Sequence, residues 1–521
     1  ACRGSARDHS HRPPTCCIVD SMRMESACAS SLLERKLSAD VLHLAFEQLP
    51  VRDLGAAASV CRDWGRLLTQ SSVWRNATFA SGLLWAPESA DVATRVAAAG
   101  GWKAFLREEA HLECRWKNRM PLQGRRMGAG HTHWVPAVLV KPQTLEHVTC
   151  SYDGTIRFWE SAEKAVPECF AVLRGGVGPG GLAEGFSSIA LSTHENELLL
   201  LAGSEFGHLH VWTVWRAADE QDARKYECWR AVEEAKNARR GVPTQPILLP
   251  EGAESDVARN ADERCTPRMP RPHFSRKLQC WAAQHDFVQS ILGLPCGRVA
   301  SGGDDGRIHI HTIGGDTSAP THTFSEHANA VMCLDSLNGG AHFASGSVDH
   351  TARIWDCRAG ACINTLAGHK RSIHCLTVSQ SSPHGSQMLF TGSRDHSIKL
   401  WDPRTARCEH SLVGHTGSVT CIGADGWKLM SGGGYNRGAD DDEVISVDST
   451  LRLWDLRRLG SGRQPCLWQR EVPSAGRVHG YPDGDPVLSL QLLKDKMITS
   501  HGGKKWTTRI WDLEATQPAT R

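Results

Sequence analysis

His327, Ser345 and Asp349 bring an imidazole, a hydroxyl and a carboxylate into one short stretch, the set that activates a nucleophile in hydrolases. The set returns as His369, Thr391 and Asp395. Parts of it recur around His131 and Thr149, His285 and Ser301, and at His415. One centre of chemistry needs one such set, whereas an architecture made by repetition needs one per unit. The recurrence therefore points to structure. A buried imidazole, hydroxyl and carboxylate must each be satisfied, and a closed network of all three locks the turns around it. Trp355 and Trp401 end the two clearest copies and are expected to join their networks.

Each unit closes on two positions six residues apart: Asp153/Trp159, Phe206/Trp212, Asp305/His311, Asp349/Trp355, Asp395/Trp401, Asp448/Trp454 and Lys505/Trp511. The sharpest read D-H-T-A-R-I-W-D, D-H-S-I-K-L-W-D and D-S-T-L-R-L-W-D. Repeats of roughly 40 to 45 residues with Trp-Asp endings resemble the WD40 repeat, which implies an all-β, seven-bladed propeller. Phe206, His311 and Lys505 depart from the pattern in units two, three and seven. Little chain follows the last Trp-Asp pair, so Leu122 to Gly130 is expected to supply the missing outer strand and close the ring by overlap.

The chain ahead of the repeats has a helical period. Leu42, Ala45, Phe46 and Leu49 fall at i, i+3, i+4 and i+7, with Pro50 ending the run. The stretches L-S-A-D-V-L-H-L-A-F-E-Q-L-P-V-R-D-L, S-V-C-R-D-W-G-R-L-L and S-S-V-W resemble the F-box, although that family opens on Leu-Pro where this chain has Leu37-Ser38. The resemblance implies a small all-α domain that docks a Skp-type adaptor and, through it, a cullin. The contact residues it implies are Leu42, Phe46, Leu49, Pro50, Leu54, Val60, Cys61, Trp64 and Trp74. Trp102 to Lys117 then reads as an amphipathic helix, a connector holding the ring at a fixed distance and angle. The expected organisation is a disordered segment at 1–30, an F-box at 31–78, a helical linker at 79–128 and the propeller at 129–521, with an insertion at 216–277.

Composition narrows the function. A formal charge of +2 favours neither nucleic acid nor an anionic membrane. No apolar run reaches the roughly 20 residues that span a bilayer, and residues 1–30 lack a signal-peptide core. The 19 dispersed cysteines argue for reduced thiols in an intracellular, cytoplasmic or nuclear protein. Cys333, Cys375 and Cys421 share one repeat position and are expected to pack as small hydrophobes. Neither the cysteine spacing nor the acidic run Asp440–Glu443 suits a metal, so no metal, cofactor or bond chemistry is expected.

The family resemblance places ligand binding on the narrow face of the ring, at Tyr152, Asp304, Met332, Val348, Lys370, Arg371, His374, Arg394 and Thr420. Lys370, Arg371, His374 and Arg394 fall in one blade and would form an anion patch. The whole reads as the substrate receptor of an SCF-type ubiquitin ligase. Two alternatives stay open. W-D-x-R occurs three times, with Arg358, Arg404 and Arg457, and resembles the motif by which WD40 receptors of the other large cullin class attach. A scaffold outside degradation would keep the ring but has no use for an adaptor-binding face.

Overall fold

The computed structural model describes residues 46, 54, 57, 68, 71–81, 90–118 and, between 125 and 512, all but 128–129, 142–145, 161–166, 177–182, 195–196, 217–272, 285, 316–318, 380–386, 438–443, 473–483, 494 and 503–505. The chain divides into two compact units, Ala1–Cys114 and Arg115–Arg521.

The larger unit is a seven-bladed β-propeller built from antiparallel four-stranded sheets. Thr351–Asp356 shows why these segments are strands: half-exposed and buried positions alternate from Thr351 to Ile354, up to a bulge at Ile354/Trp355, so one face meets the neighbouring blade. Blades one to six each follow the chain in order, inner strand first. Blade seven takes Val487–Leu492, Lys496–His501 and Thr507–Asp512, and its fourth strand is Arg125–Arg126 from the start of the unit. Arg125 pairs with Ile510 and Arg126 with Arg509, closing the ring by overlap. Met127, Val138 and Trp159 pack with Ile498 and Ile510 across that closure.

Blade-to-blade contact sets the core. Ile354 and Leu366 of blade four meet Ile373, Leu389 and Trp401 of blade five, and each fully buried aliphatic contributes about 1.5–3 kcal/mol. A glycine on the second strand of blades two to six makes room for this. A Cβ on Gly392 would lie 2.5 Å from Cys375 Sγ and 2.7 Å from Val419 Cγ1. Burial pushes the Cys375 thiol well up and that of Cys421 up to about 12, so both pack as neutral groups. The described cysteines are free thiols.

Two segments inserted in the blades take form only in the structure. In blade two, strand His208–Arg216 pairs directly with His273–Ala282, so the long insertion lies inside that blade, before its outer strand, and not between blades two and three. Pairing runs from Arg216↔His273 inward, which makes Arg216 and Lys277 strand residues. The stretch that carries the acidic run Asp440–Glu443 forms a hairpin of its own, with Tyr435–Arg437 paired to Val444–Val447, because Val444, Ile445 and Val447 favour extended backbone. Asp440–Glu443 lies outside the described residues.

In the smaller unit, α1 (Ser71–Ala80) and α2 (Ala90–Ala99) are followed by α3 (Trp102–Asn118), which runs across the division between the units. Val92 and Val96 pack on Phe105, with Arg95 bonded to Glu109 and lying over the Phe105 ring. The last turn of α3 belongs to the propeller unit. Trp116 is buried there, its carbonyl accepting the Trp468 indole N–H at 2.8 Å, and Lys428 lies over its ring. No helix among the described residues is long and apolar enough to cross a membrane.

Candidate functional site: the mouth of the propeller axis

The His, Ser/Thr, Asp and Trp of four blades form one geometry. His327 Nδ1 lies 2.7 Å from Asp349, its Nε2 lies 2.7 Å from Ser345 Oγ, and the Trp355 indole donates to the same hydroxyl at 2.7 Å. His369, Asp395, Thr391 and Trp401 repeat it at 2.8, 2.7 and 2.8 Å. Blade one does so through His131, Asp153, Thr149 and Trp159, and blade six through His415, Asp448, Ser431 and Trp454. Each hydroxyl is shared between a buried indole and an imidazole, so it is a strut and not a nucleophile. Burial pushes Asp349 upward, but hydrogen bonds from His327 and Thr351 outweigh it and hold the carboxyl well below its usual range. In blades one, four and five the residue after the aspartate is left-handed. Gly154 takes this conformation at φ 77°, and His350 and His396 at φ 72° and 68°.

The three remaining blades lock themselves differently. In blade seven Thr499 binds Trp511 and His501, and in blade three Gln284 donates to Ser301. Blade three also holds His311 at the tryptophan position, stacked 4.9 Å from Trp281 with neither ring nitrogen bonded. Burial, then the neighbouring His309, lowers its pKa to about 4. Blade two uses Glu184, which lies 2.6 Å from His208 and 3.1 Å from His210. Glu184, Gln284 and His501 sit off the repeat positions, so the repeat pattern does not reveal them. His285 and Lys505 lie outside the described residues.

A cavity of about 370 Å³ opens on the ring axis. It receives Pro136 and Tyr152 from blade one, Ser187 from two, Gln289 from three, Met332 from four, His374 and Arg394 from five, Thr420 from six and Leu488 from seven. Ser418, Trp134 and Tyr435 complete the lining, with the two aromatic rings stacked 6.4 Å apart. Trp134 continues to Trp506 at 5.5 Å, and Tyr152 to His133 at 5.9 Å and Phe287 at 6.5 Å, giving the mouth an aromatic rim. Burial, then the charges near it, pushes the Tyr152 hydroxyl up to about 12, so it stays a neutral donor. Gln289 donates to Asp304 at 2.8 Å, placing acid near blade three while Arg394 faces the cavity from blade five.

Tyr152, His374 and Arg394 thus share the cavity, and Lys370 and Arg371 do not. The Lys370 backbone N–H donates to Asp395 at 2.9 Å, and the Arg371 carbonyl accepts from Ser393. Their backbones serve the blade network, and neither side chain lines the axis. Of the positions implied as adaptor contacts, Phe46, Leu54 and Trp74 are described, and all three are interior, at most 6% exposed. Trp74 gives its N–H to the Leu68 carbonyl and lies under Lys103. They support a surface instead of presenting one, because a helical apolar stripe does not say which of its residues turns inward. Leu42, Leu49, Pro50, Val60, Cys61 and Trp64 lie outside the described residues. The three W-D-x-R arginines also part company. Arg404 is 73% exposed beside Asp402, and Arg358 is exposed. Arg457 clasps Asp455 with two bonds and stacks 4.5 Å over Trp427.

Comparison with known proteins fits this geometry. Residues 125–160, 318–356 and 360–402 match the family described as "WD domain, G-beta repeat", and residues 39–80 match "F-box-like". The chain is an F-box-like domain followed by a WD40 β-propeller. Over 244 residues it is 35% identical to mitogen-activated protein kinase kinase kinase A of Dictyostelium discoideum, covering 46% of this chain and 23% of that protein. It is 33% identical over 86 residues to coatomer subunit beta'-1 of Arabidopsis thaliana, covering 16% and 9%, and 34% identical over 86 residues to anaphase-promoting complex subunit cdc20 of D. discoideum, covering 15% and 17%. The chain therefore spans less than a quarter of each of these relatives. Among solved structures, the WD40 propeller domain of Doa1 is 17% identical, with 74% of this chain and 96% of that one covered and a TM-score of 0.47.

Proposed function

We propose that this chain is the substrate-recognition subunit of an SCF-type ubiquitin ligase. The observation that carries the reading is the F-box-like segment at 39–80, set ahead of a propeller with an open axial cavity. The F-box docks a Skp-type adaptor, the adaptor joins a cullin, and the propeller holds a target protein at the mouth. Held there, the target's lysines meet the ubiquitin-loaded enzyme at high effective concentration, so the chain acts by proximity and not by bond chemistry.

The mouth suits a short peptide segment. Trp134, Tyr435, Met332 and Leu488 take an apolar anchor, and Arg394 with His374 takes one anionic or strongly accepting group. A single guanidinium favours one acidic or phosphorylated residue over a run of them. Attachment through W-D-x-R is the weaker reading, since Arg457 is already committed to Asp455 and Trp427.

The test is co-purification of the tagged chain with a Skp-type adaptor and cullin, comparing wild type with a Leu49→Glu, Trp64→Ala double variant. Wild type is expected to hold both partners in stoichiometric amounts and the variant to lose both while its propeller stays folded. Failure of wild type to bind the adaptor refutes the reading.

A further inference from the structure

Blade two keeps the shape of a blade without its usual lock. Ala202 pairs with His210 where Ser345 pairs with Arg353 and Thr391 with Lys399, so the hydroxyl is missing. Phe206 stands where the aspartate belongs. Glu184, just ahead of the inner strand Phe186–His194, takes over the link to the third strand. Both of its short contacts come from one oxygen, Oε1, to His208 Nδ1 and His210 Nε2. With one residue between them on a strand, the two histidines leave the same face and aim at one point.

We propose that Glu184, His208 and His210 form a zinc-type divalent-cation site with one coordination position open to solvent. Their donor atoms lie within 4.8 Å of one another, and among the described residues no other group meets that geometry. Two imidazole nitrogens and one carboxylate oxygen are a donor set that zinc accepts, with water as the fourth ligand. An ion ~2.0–2.2 Å from each donor asks for donors ~3.3 Å apart, so the 2.6 Å Glu184–His208 approach opens by under ~1 Å.

The surroundings hold the ligands in place. Glu184 Oε2 accepts the Gly176 N–H at 3.2 Å, fixing the carboxylate plane. The His210 ring stacks on Trp212 at 5.3 Å and 13° and meets Phe186 edge-on at 5.7 Å. The side chains of Glu184 and His210 are 5% and 2% exposed, whereas that of His208 is 39% exposed and gives the ion its way in. A bound ion staples the loop ahead of the inner strand to the third strand, the task the carboxylate–imidazole–hydroxyl set performs in other blades.

Chelator-treated full-length chain is titrated with Zn²⁺ by calorimetry and thermal melting, beside His208→Ala and Glu184→Gln. The expected result is one equivalent bound with a raised melting temperature, and an affinity weakened at least ~10-fold in each variant. His208 is the exposed ligand, so His208→Ala decides the matter even where Glu184→Gln does not fold. Because the chain has 19 cysteines, Co²⁺ serves as the second readout, and its spectrum is expected to lack a thiolate charge-transfer band. No melting shift, uptake unchanged by His208→Ala, or a thiolate band each overturns the site.

Discussion

Asp395 holds His369 at 2.8 Å, the Lys370 N–H at 2.9 Å and both polar groups of Ser397, so one carboxylate ties the turn at 369–370 to its own turn. Asp395→Ala strands an imidazole and two N–H groups and is expected to cost about 2–3 kcal/mol in urea unfolding at neutral pH. Burial raises the pKa of this carboxyl, but hydrogen bonds from His369, Ser397 and Lys370 lower it further, to well below the usual range. A depressed folded pKa gives stability that is present above the unfolded value, near 4, and fades as pH falls below it. The gap between wild type and Asp395→Ala is therefore expected to narrow below about pH 4. His311 works in the same sense by another route. Its folded pKa, lowered to about 4, makes the unfolded state bind more protons between there and about 6.5. Stability from this group rises with pH across that window and is level above it. His311→Phe removes two buried unbonded nitrogens, so it is expected to raise the melting temperature at pH 7.5 and to raise it more at pH 5.

At the scale of elements, the ring depends on a very short strand. Arg125–Arg126 closes blade seven, and the adjoining Met127 N–H donates to Thr508 at 3.0 Å. Met127→Pro deletes that donor, and urea unfolding is expected to show a loss of about 1–3 kcal/mol. A variant as stable as wild type would mean that the overlap adds little to closure. The overlap was expected from the sequence, with 122–130 named as the closing strand, and Arg125–Arg126 falls inside that stretch. Blades one, four, five and six were legible because each needs the same four residue types at the same positions. Blades two, three and seven solve the same problem with Glu184, Gln284 and His501, for which no repeat position exists to search. At the mouth, the residues before the blade aspartates gave Tyr152 and Arg394, while Trp134 and Tyr435 come from a lead-in segment and an inserted hairpin. Lys370 and Arg371 looked equivalent to His374 in sequence, but only the course of the turn decides which side chain reaches the axis.

For the molecule as a whole, the proposed function rests on an F-box-like segment for the adaptor and an axial cavity for the target. Among the described residues, the imidazole–hydroxyl–carboxylate sets of blades one, four, five and six each brace a blade, and the axial cavity joins an aromatic rim to one guanidinium. The division of labour is the central claim, and it is separable by mutation. The most direct measurement is quantitative mass spectrometry of proteins captured by the full-length chain, by the Leu49→Glu, Trp64→Ala variant and by an Arg394→Glu, Trp134→Ala variant. The expected result is crossed: the first variant loses adaptor and cullin but keeps the targets, and the second loses the targets but keeps adaptor and cullin. Adaptor retained by the first variant, or targets retained by the second, would contradict the account.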